Sequence, residues 1–516
     1  MTLSRAIAVI GGWTMVSRLT GLAREMLIAA YLGAGAVADS FFVAFRFPNL
    51  FRSLFAEGAF NAAFVPLFSA RLETGGEASA RDFAEQCLAV LVWIVLALVA
   101  VIEIAMPWAM LVLAPGFGDV PGKMDLAVDL SRITFPYLLF ISMVSLQSGV
   151  LNAMGRFAAA AATPVLLNLV SIAVLVLLAP YTPTPGHAMA WGVSIAGLAQ
   201  FLWLVAACRN AGMGLRLVRP RLSPDVKLML RRVVPGAIGA GGYQINLVIN
   251  TMIASVVADG AVSYLNYAER VNQLPLGVVG VAIGTALLPM LSRQIGAGDE
   301  AGAIDSQNRA IEMGMLLTLP AAVALMVVAL PLVSVLFQRG SFSVEDSRAV
   351  ADTLRLLAAG LPAYVLIKAL TPGFFARHDT RTPVRVAGLC MAANVALNLI
   401  LMERMGYLGM ALSTALSAWL NVVLLVIMLR RRGYLITDRR LKKRIARMVP
   451  ACMIMAVILA ALAWRLDPWF AQGGLRFLAL AILVVAGIVS YGATALATQA
   501  TSLAELKDVF RRSSGT

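Results

Sequence analysis

Histidine is nearly missing from this chain: His187 and His378 are the two it has. Cysteine is scarce as well. Cys87, Cys208, Cys390 and Cys452 stand alone in or beside apolar segments, with no CxxC or ligand spacing. A His/Cys metal site is therefore not expected. The short loops also lack the Asp-rich stretch or catalytic His constellation that a membrane glycosyltransferase or phosphatase would need, so an enzyme is not expected either. Charge is sparse. Charged residues make up 13% of the chain, against about 25% in a soluble domain. With 60% hydrophobic residues and a mean hydropathy of +0.84, the composition excludes an ordinary soluble fold and predicts a polytopic membrane protein.

Negative charge is the scarcer sign. Lys and Arg number 42 against 27 Asp and Glu, a net +15. Such an excess reflects basic loops on the cytoplasmic side of a membrane protein better than nucleic-acid binding. The first apolar run is interrupted by Arg18 and Arg24 and outlasts a signal core, so it is expected to be a retained helix.

A helix needs about 20 residues to cross the hydrocarbon core. Fourteen spans are predicted, near 6–31, 37–69, 84–112, 130–153, 158–179, 188–208, 230–257, 261–291, 311–336, 350–376, 384–402, 408–429, 447–465 and 475–498. Lys and Arg cluster in alternate loops: Arg71 and Arg81, Arg209 to Lys227, the run within Arg430–Arg444, and Lys507, Arg511 and Arg512. The other loops hold little beyond Lys123, Arg339, Arg348 and Arg404. This asymmetry predicts both termini in the cytoplasm. It also predicts attraction between the basic runs and anionic lipid headgroups.

The sequence repeats at an offset of about 225 residues. Leu27-Ile28-Ala29 matches Met252-Ile253-Ala254, and Gly35-Ala36-Val37 matches Gly260-Ala261-Val262. Phe135-Pro136 resembles Leu361-Pro362, Gly192 answers Gly409, and Arg46 falls opposite Arg270 after one gap. An even number of spans separates the copies, so they insert the same way up as parallel repeats, a design that places substrate between two halves. The expected fold is an all-α integral membrane protein with 14 transmembrane helices: two parallel six-helix repeats plus two additional C-terminal helices. The lobes are expected at 1–215 and 216–440, with the extra helices and a cytoplasmic tail in 441–516.

The charge inside the first two spans is what most needs explaining. Arg18, Arg24, Arg46 and Arg52 lie there, and each charge at membrane depth costs about 2.5–3.5 kcal/mol on insertion scales. Arg18 is about 18 Å of helix from either end of its span, too deep for a snorkelling side chain, and Arg52 is similarly deep. Arg24 lies nearer an end and is within snorkelling reach. A pair between Arg24 and Asp39 across the first hairpin is expected to act as a gate, and Glu57 is expected to neutralise Arg52 between substrates. Glu269 precedes Arg270 and counts as a further charge partner. Pro48 is expected to interrupt span two and act as a hinge. Gly236, Gly239, Gly241 and Gly242 give span seven a soft start that serves either as a hinge or for tight helix packing. The planar arginine fork suits phosphate, so a phosphate or diphosphate headgroup is expected over a neutral drug or a cation.

The stretches Ser17-Arg18-Leu19-Thr20-Gly21-Leu22-Ala23-Arg24-Glu25, Gly33-Ala34-Gly35-x-x-Ala38-Asp39-x-Phe41, Arg46-Phe47-Pro48-Asn49-Leu50-x-Arg52, Phe55-Ala56-Glu57-Gly58-Ala59-Phe60 and Ala63-Phe64-Val65-Pro66 resemble the MurJ (MviN) lipid II flippases of the multidrug/oligosaccharidyl-lipid/polysaccharide exporter superfamily. The resemblance implies that the undecaprenyl-diphosphate-linked peptidoglycan precursor moves from the inner to the outer leaflet of the bacterial cytoplasmic membrane. The headgroup would cross a central cationic cavity by alternating access, while the polyprenyl tail stays in lipid along the last two helices. The resemblance assigns Arg18, Arg24, Arg52 and Arg270 to substrate and Asp39 to the gate. An exporter of another polyprenyl-diphosphate-linked oligosaccharide, of O-antigen type, is the alternative. Some family members are described with a sodium site of acidic residues in spans seven and eleven. Those spans here offer Asn246, Asn250, Asn394 and Asn398, so sodium coupling and any other cofactor are not expected, and membrane potential is the expected driving force. A monomer is expected.

Overall fold

The computed structural model describes residues 3–52, 59–470 and 474–502, and their side chains apart from 3–8, 59, 234–243, 278, 279, 281, 282 and 285. Every regular element among the described residues is helical. The chain divides into two compact units, Met1–Ser263 and Tyr264–Gly515.

The first unit holds α1 (Leu3–Leu32), α2 (Ala36–Arg52), α3 (Ala59–Leu113), α4 (Lys123–Thr134), α5 (Tyr137–Ala153), α6 (Phe157–Leu178), α7 (Pro185–Asn210), α8 (Pro224–Val257) and the start of α9 (Ala261–Gly296). The second continues through α10 (Glu300–Val327), α11 (Ala329–Phe337), α12 (Val344–Ala358), α13 (Leu361–Leu370), α14 (Pro372–Phe375), α15 (Arg381–Met405), α16 (Tyr407–Arg431), α17 (Arg439–Arg465), α18 (Asp467–Phe470) and α19 (Arg476–Ala497).

Ten stretches among the described residues are long and apolar enough to cross a membrane. The helices α1, α2, α8 and α9 fall outside that set. In α1 the charges Arg18, Arg24 and Glu25 lower the apolarity, and α2 has only 17 residues. Within α8, Gln244–Val257 is a short apolar stretch.

Small residues and interruptions place the helices. In the first unit α7 packs along α6, and in the second α16 packs along α15. A Cβ on Gly192 of α7 would sit 3.3 Å from the Ser171 Cα of α6, and one on Gly409 of α16 only 2.5 Å from the Leu401 carbonyl of α15. Glycine at these matched positions permits the close approach. Phe135-Pro136 separates α4 from α5, and Leu361-Pro362 opens α13 after the break that ends α12. The proline stands in the first turn or just before it, where it costs no internal hydrogen bond.

Pro48 behaves differently from expectation. α2 runs through it to Arg52 without interruption. Its lost amide bond is a local deficit that the flanking helix tolerates. The long α3 does break, at Gly76, whose φ of 68° and ψ of −174° are non-helical. Its first half stacks Phe60, Phe64 and Phe68 in sequence, with Phe83 from beyond the break lying against Phe64. These rings meet Met143 and Leu146 of α5 and Met229 of α8 in one core.

Candidate functional site

Both oxygens of the Asp39 carboxylate are committed, and Arg24 is on neither. Asp39 is fully buried near the start of α2. Its Oδ2 accepts from Lys123 Nζ at 2.8 Å and from the Gly260 amide at 2.8 Å. Its Oδ1 accepts from the Ser263 amide at 2.8 Å and the Ser263 hydroxyl at 2.5 Å. Lys123, the first residue of α4, is 2% exposed. It also donates to Asp259 Oδ1 at 2.5 Å and lies 4.2 Å above the Phe117 ring. The arrangement ties the starts of α2 and α4 to the turn between α8 and α9. A buried carboxylate needs such partners, because an isolated one would be too costly to keep ionised.

Arg24 instead pairs with its neighbour. Its Nη2 donates to Glu25 Oε1 at 2.9 Å, and the two side chains are 10% and 7% exposed. Burial of this kind replaces the snorkelling that its depth allowed. The Arg24 Nε has no hydrogen-bond partner among the described residues, so the guanidinium keeps an unused donor. Glu25 closes the Ser17–Glu25 stretch, and its role was not evident from the sequence. Its signal was a carboxylate inside an apolar span beside a buried arginine.

Arg18 is half-buried on α1. The helix around it is held from α6. The Asn168 side-chain amide donates to the Ser17 carbonyl at 3.1 Å and to the Thr20 hydroxyl at 3.1 Å. Asn168 is 5% exposed, and α1 packs along α6 over much of its length. A lone Asn in an apolar helix gave no sequence clue to which backbone it would reach.

On α2, Arg52 Nε donates to Asn49 Oδ1 at 2.7 Å, which bends the side chain back along its own helix. Arg46 reaches Thr251 of α8. Arg46 and Thr251 line a small cleft with Val43, Phe47, Leu50, Leu113 and Val248. Glu57 lies outside the described residues, as do the side chains of α8 around Gly241 and Gly242. Their backbone is part of the continuous helix α8.

The second unit places Arg270 exposed on α9 and Glu269 half-buried beside it. Asn394 and Asn398 of α15 are buried and gather at Ser413 of α16. Asn394 donates to the Ser413 hydroxyl at 3.5 Å, and that hydroxyl donates to Asn398 Oδ1. These donors are neutral and partly consumed by one another. On α8, Asn250 donates to Asn246 Oδ1 at 3.5 Å. A sodium site of the acidic kind would need a carboxylate that these residues do not supply.

A third charged assembly binds α17 to α10. Glu312, 5% exposed, receives Arg309, Arg440 and Arg444, and Arg309 also meets Asp438 at the start of α17. The basic run that the sequence assigned to topology thus also docks a helix.

Comparison with known proteins agrees with this architecture. The family model described as "Lipid II flippase MurJ" matches residues 28–483. A probable lipid II flippase MurJ of Rhizobium meliloti (strain 1021) is 45% identical over 99% of this chain and 97% of its own length. The lipid II flippase MurJ of Burkholderia cenocepacia is 38% identical over 90% of this chain and 91% of its own. Among solved structures, lipid II flippase MurJ in an inward closed conformation superposes with a TM-score of 0.77 at 23% identity, covering 95% of this chain and 98% of that one. An inward-facing multidrug resistance MATE transporter of the MOP superfamily reaches 0.68 at 16% identity over 83% of this chain and 98% of that one. Matched over nearly its whole length by curated relatives and over most of it by the family model, this chain belongs to the MurJ lipid II flippase family.

Proposed function

We propose that this protein flips lipid II, the undecaprenyl-diphosphate-linked peptidoglycan precursor, from the cytoplasmic to the periplasmic leaflet of the bacterial cytoplasmic membrane. The observation that carries the reading is the set of arginines on α1 and α2, within a family whose members bear that activity in their names. Arg24 is buried with a donor to spare, and Arg18 stands half-buried on the same helix. Guanidinium forks held at membrane depth suit a diphosphate better than any neutral or cationic cargo.

In this reading Arg18, Arg24, Arg52 and Arg270 contact the diphosphate. Glu25 neutralises Arg24 while no anion is bound, and Asn168 holds α1 so that both arginines keep their place. Asp39, with Lys123 and Ser263, latches α2 and α4 to the α8–α9 turn on the periplasmic side, and releasing the latch accompanies opening there. The chain crosses fourteen times with both termini in the cytoplasm. Two parallel six-helix repeats, with lobes divided near residue 215, alternate access by rocking, and α17 and α19 are the added pair. The matched glycines Gly192 and Gly409 and the matched breaks at Pro136 and Pro362 support the repeat. Membrane potential drives the cycle. The neutral character of Asn246, Asn250, Asn394 and Asn398 argues against a sodium site. The protein acts as a monomer and carries no catalytic group.

The test is leaflet-specific. In cells depleted of their own flippase and supplied with this chain, lipid II should become accessible to an externally added enzyme that cleaves it. If lipid II stays sequestered while the protein is present in the membrane at normal levels, the reading fails.

A further inference from the structure

Two arginines of the second unit share one aromatic ring, and among the described residues neither forms an ion pair with an acid. Arg339 follows α11, and Arg476 opens α19. Their guanidinium carbons lie 5.7 Å and 5.3 Å from the centroid of the same Phe477 ring. Arg339 donates to the Val335 carbonyl at 2.6 Å and Arg476 to the Gln338 carbonyl at 3.3 Å. Both Nε atoms are buried with no hydrogen-bond partner among the described residues.

The two positive charges are only partly offset. The carbonyls they meet are at the C-terminal end of α11, where the helix dipole supplies about half a negative charge. Two full charges face it. Burial first, and then the neighbouring Arg476 charge, press the Arg339 pKa downward from its ordinary value. Phe477 is 47% exposed, so the pair is roofed by an apolar side chain that faces outward from the unit.

We propose that Arg339, Arg476 and Phe477 form a binding site for the phosphate of a lipid headgroup in the periplasmic leaflet. The forks supply paired charge-assisted donors to phosphate oxygens. The exposed ring supplies an apolar surface at the depth where acyl or prenyl chains begin. The leaflet assignment rests on the orientation proposed above; the chemistry does not. The phosphate has two sources: a bulk phospholipid, or the diphosphate of the translocated lipid as it leaves.

The test uses the full chain in detergent with Ser341→Cys, an exposed position, carrying an environment-sensitive fluorophore; the four native cysteines are buried. Dioctanoyl phosphatidylglycerol, undecaprenyl diphosphate and inorganic pyrophosphate are titrated separately. A saturable response to either lipid that weakens at least about tenfold in Arg339→Gln/Arg476→Gln supports the site, and the tighter lipid identifies the source. A response to pyrophosphate but to neither lipid overturns a lipid site, as does a lipid response unchanged in the variant. If the double Gln variant does not fold, Arg339→Lys/Arg476→Lys keeps the charge and loses the fork. Weaker lipid binding is expected from it, and unchanged binding overturns the proposal. The leaflet is read independently. Impermeant maleimide should label Ser341→Cys in cells whose cytoplasmic membrane is intact, and labelling only after permeabilisation overturns the periplasmic placement.

Discussion

Asp39 and Lys123 form a 2.8 Å salt bridge in which the side chains are 0% and 2% exposed. Removing one member leaves the other charged and buried, which costs about 3–5 kcal/mol. Lys123→Met should therefore weaken the latched arrangement far more than Asp39→Asn/Lys123→Met, which buries no charge. Thermal unfolding of the single and double variants checks this. Equal destabilisation of both would show that the bridge carries no coupling.

Arg24 and Glu25 permit a separation of stability from transport. Arg24→Ala removes the salt bridge to the buried Glu25, and breaking a buried pair costs about 3–5 kcal/mol. The Arg24→Ala/Glu25→Gln protein should regain most of that stability and still fail to support growth when it replaces the native flippase. Recovery of growth along with stability would mean that Arg24 serves only to balance Glu25.

Asn168 gives a smaller effect with a positional signature. Asn168→Leu removes two hydrogen bonds to α1, each worth about 0.6 kcal/mol on average inside a membrane protein. The expected loss is about 1 kcal/mol in stability with a larger proportional loss of lipid II binding, because α1 carries both Arg18 and Arg24. Quantifying retained lipid II by native mass spectrometry at matched thermal stability tests this, and unchanged retention would contradict it.

Asp379 supplies a pH dependence outside the spans. Hydrogen bonds from Thr382, then the Arg432 side chain and charge, hold its carboxyl well below the ordinary range. A depressed folded-state pKa contributes stability that is fully present above the unfolded value of about 3.9 and fades as pH falls toward the folded one. Asp379→Asn should thus lower the melting temperature slightly at pH 7, and the gap should shrink below about pH 4. A gap that widens on acidification would contradict the assignment.

Much of the helical layout was legible because hydrophobic runs and the breaks at Phe135-Pro136 and Leu361-Pro362 depend on local chemistry. The arginines were legible for the same reason: charge in an apolar span is conspicuous. Their partners were not. Adjacent residues such as Arg24 and Glu25 diverge by about 100° on a helix, yet long side chains bend back to meet once water is excluded. Lys123 was visible as a rare cation in a poorly charged loop, but its contact with Asp39, 84 positions away, depends on tertiary packing. At Pro48 the sequence shows a lost hydrogen bond, whereas neighbouring packing decides that α2 runs on to Arg52.

The most direct test is complementation in cells depleted of their native flippase. The unaltered chain should restore growth and shape, while Arg18→Ala and Arg52→Ala, inserted at equal levels, should not. Rescue by both variants would contradict a cationic route for the lipid diphosphate.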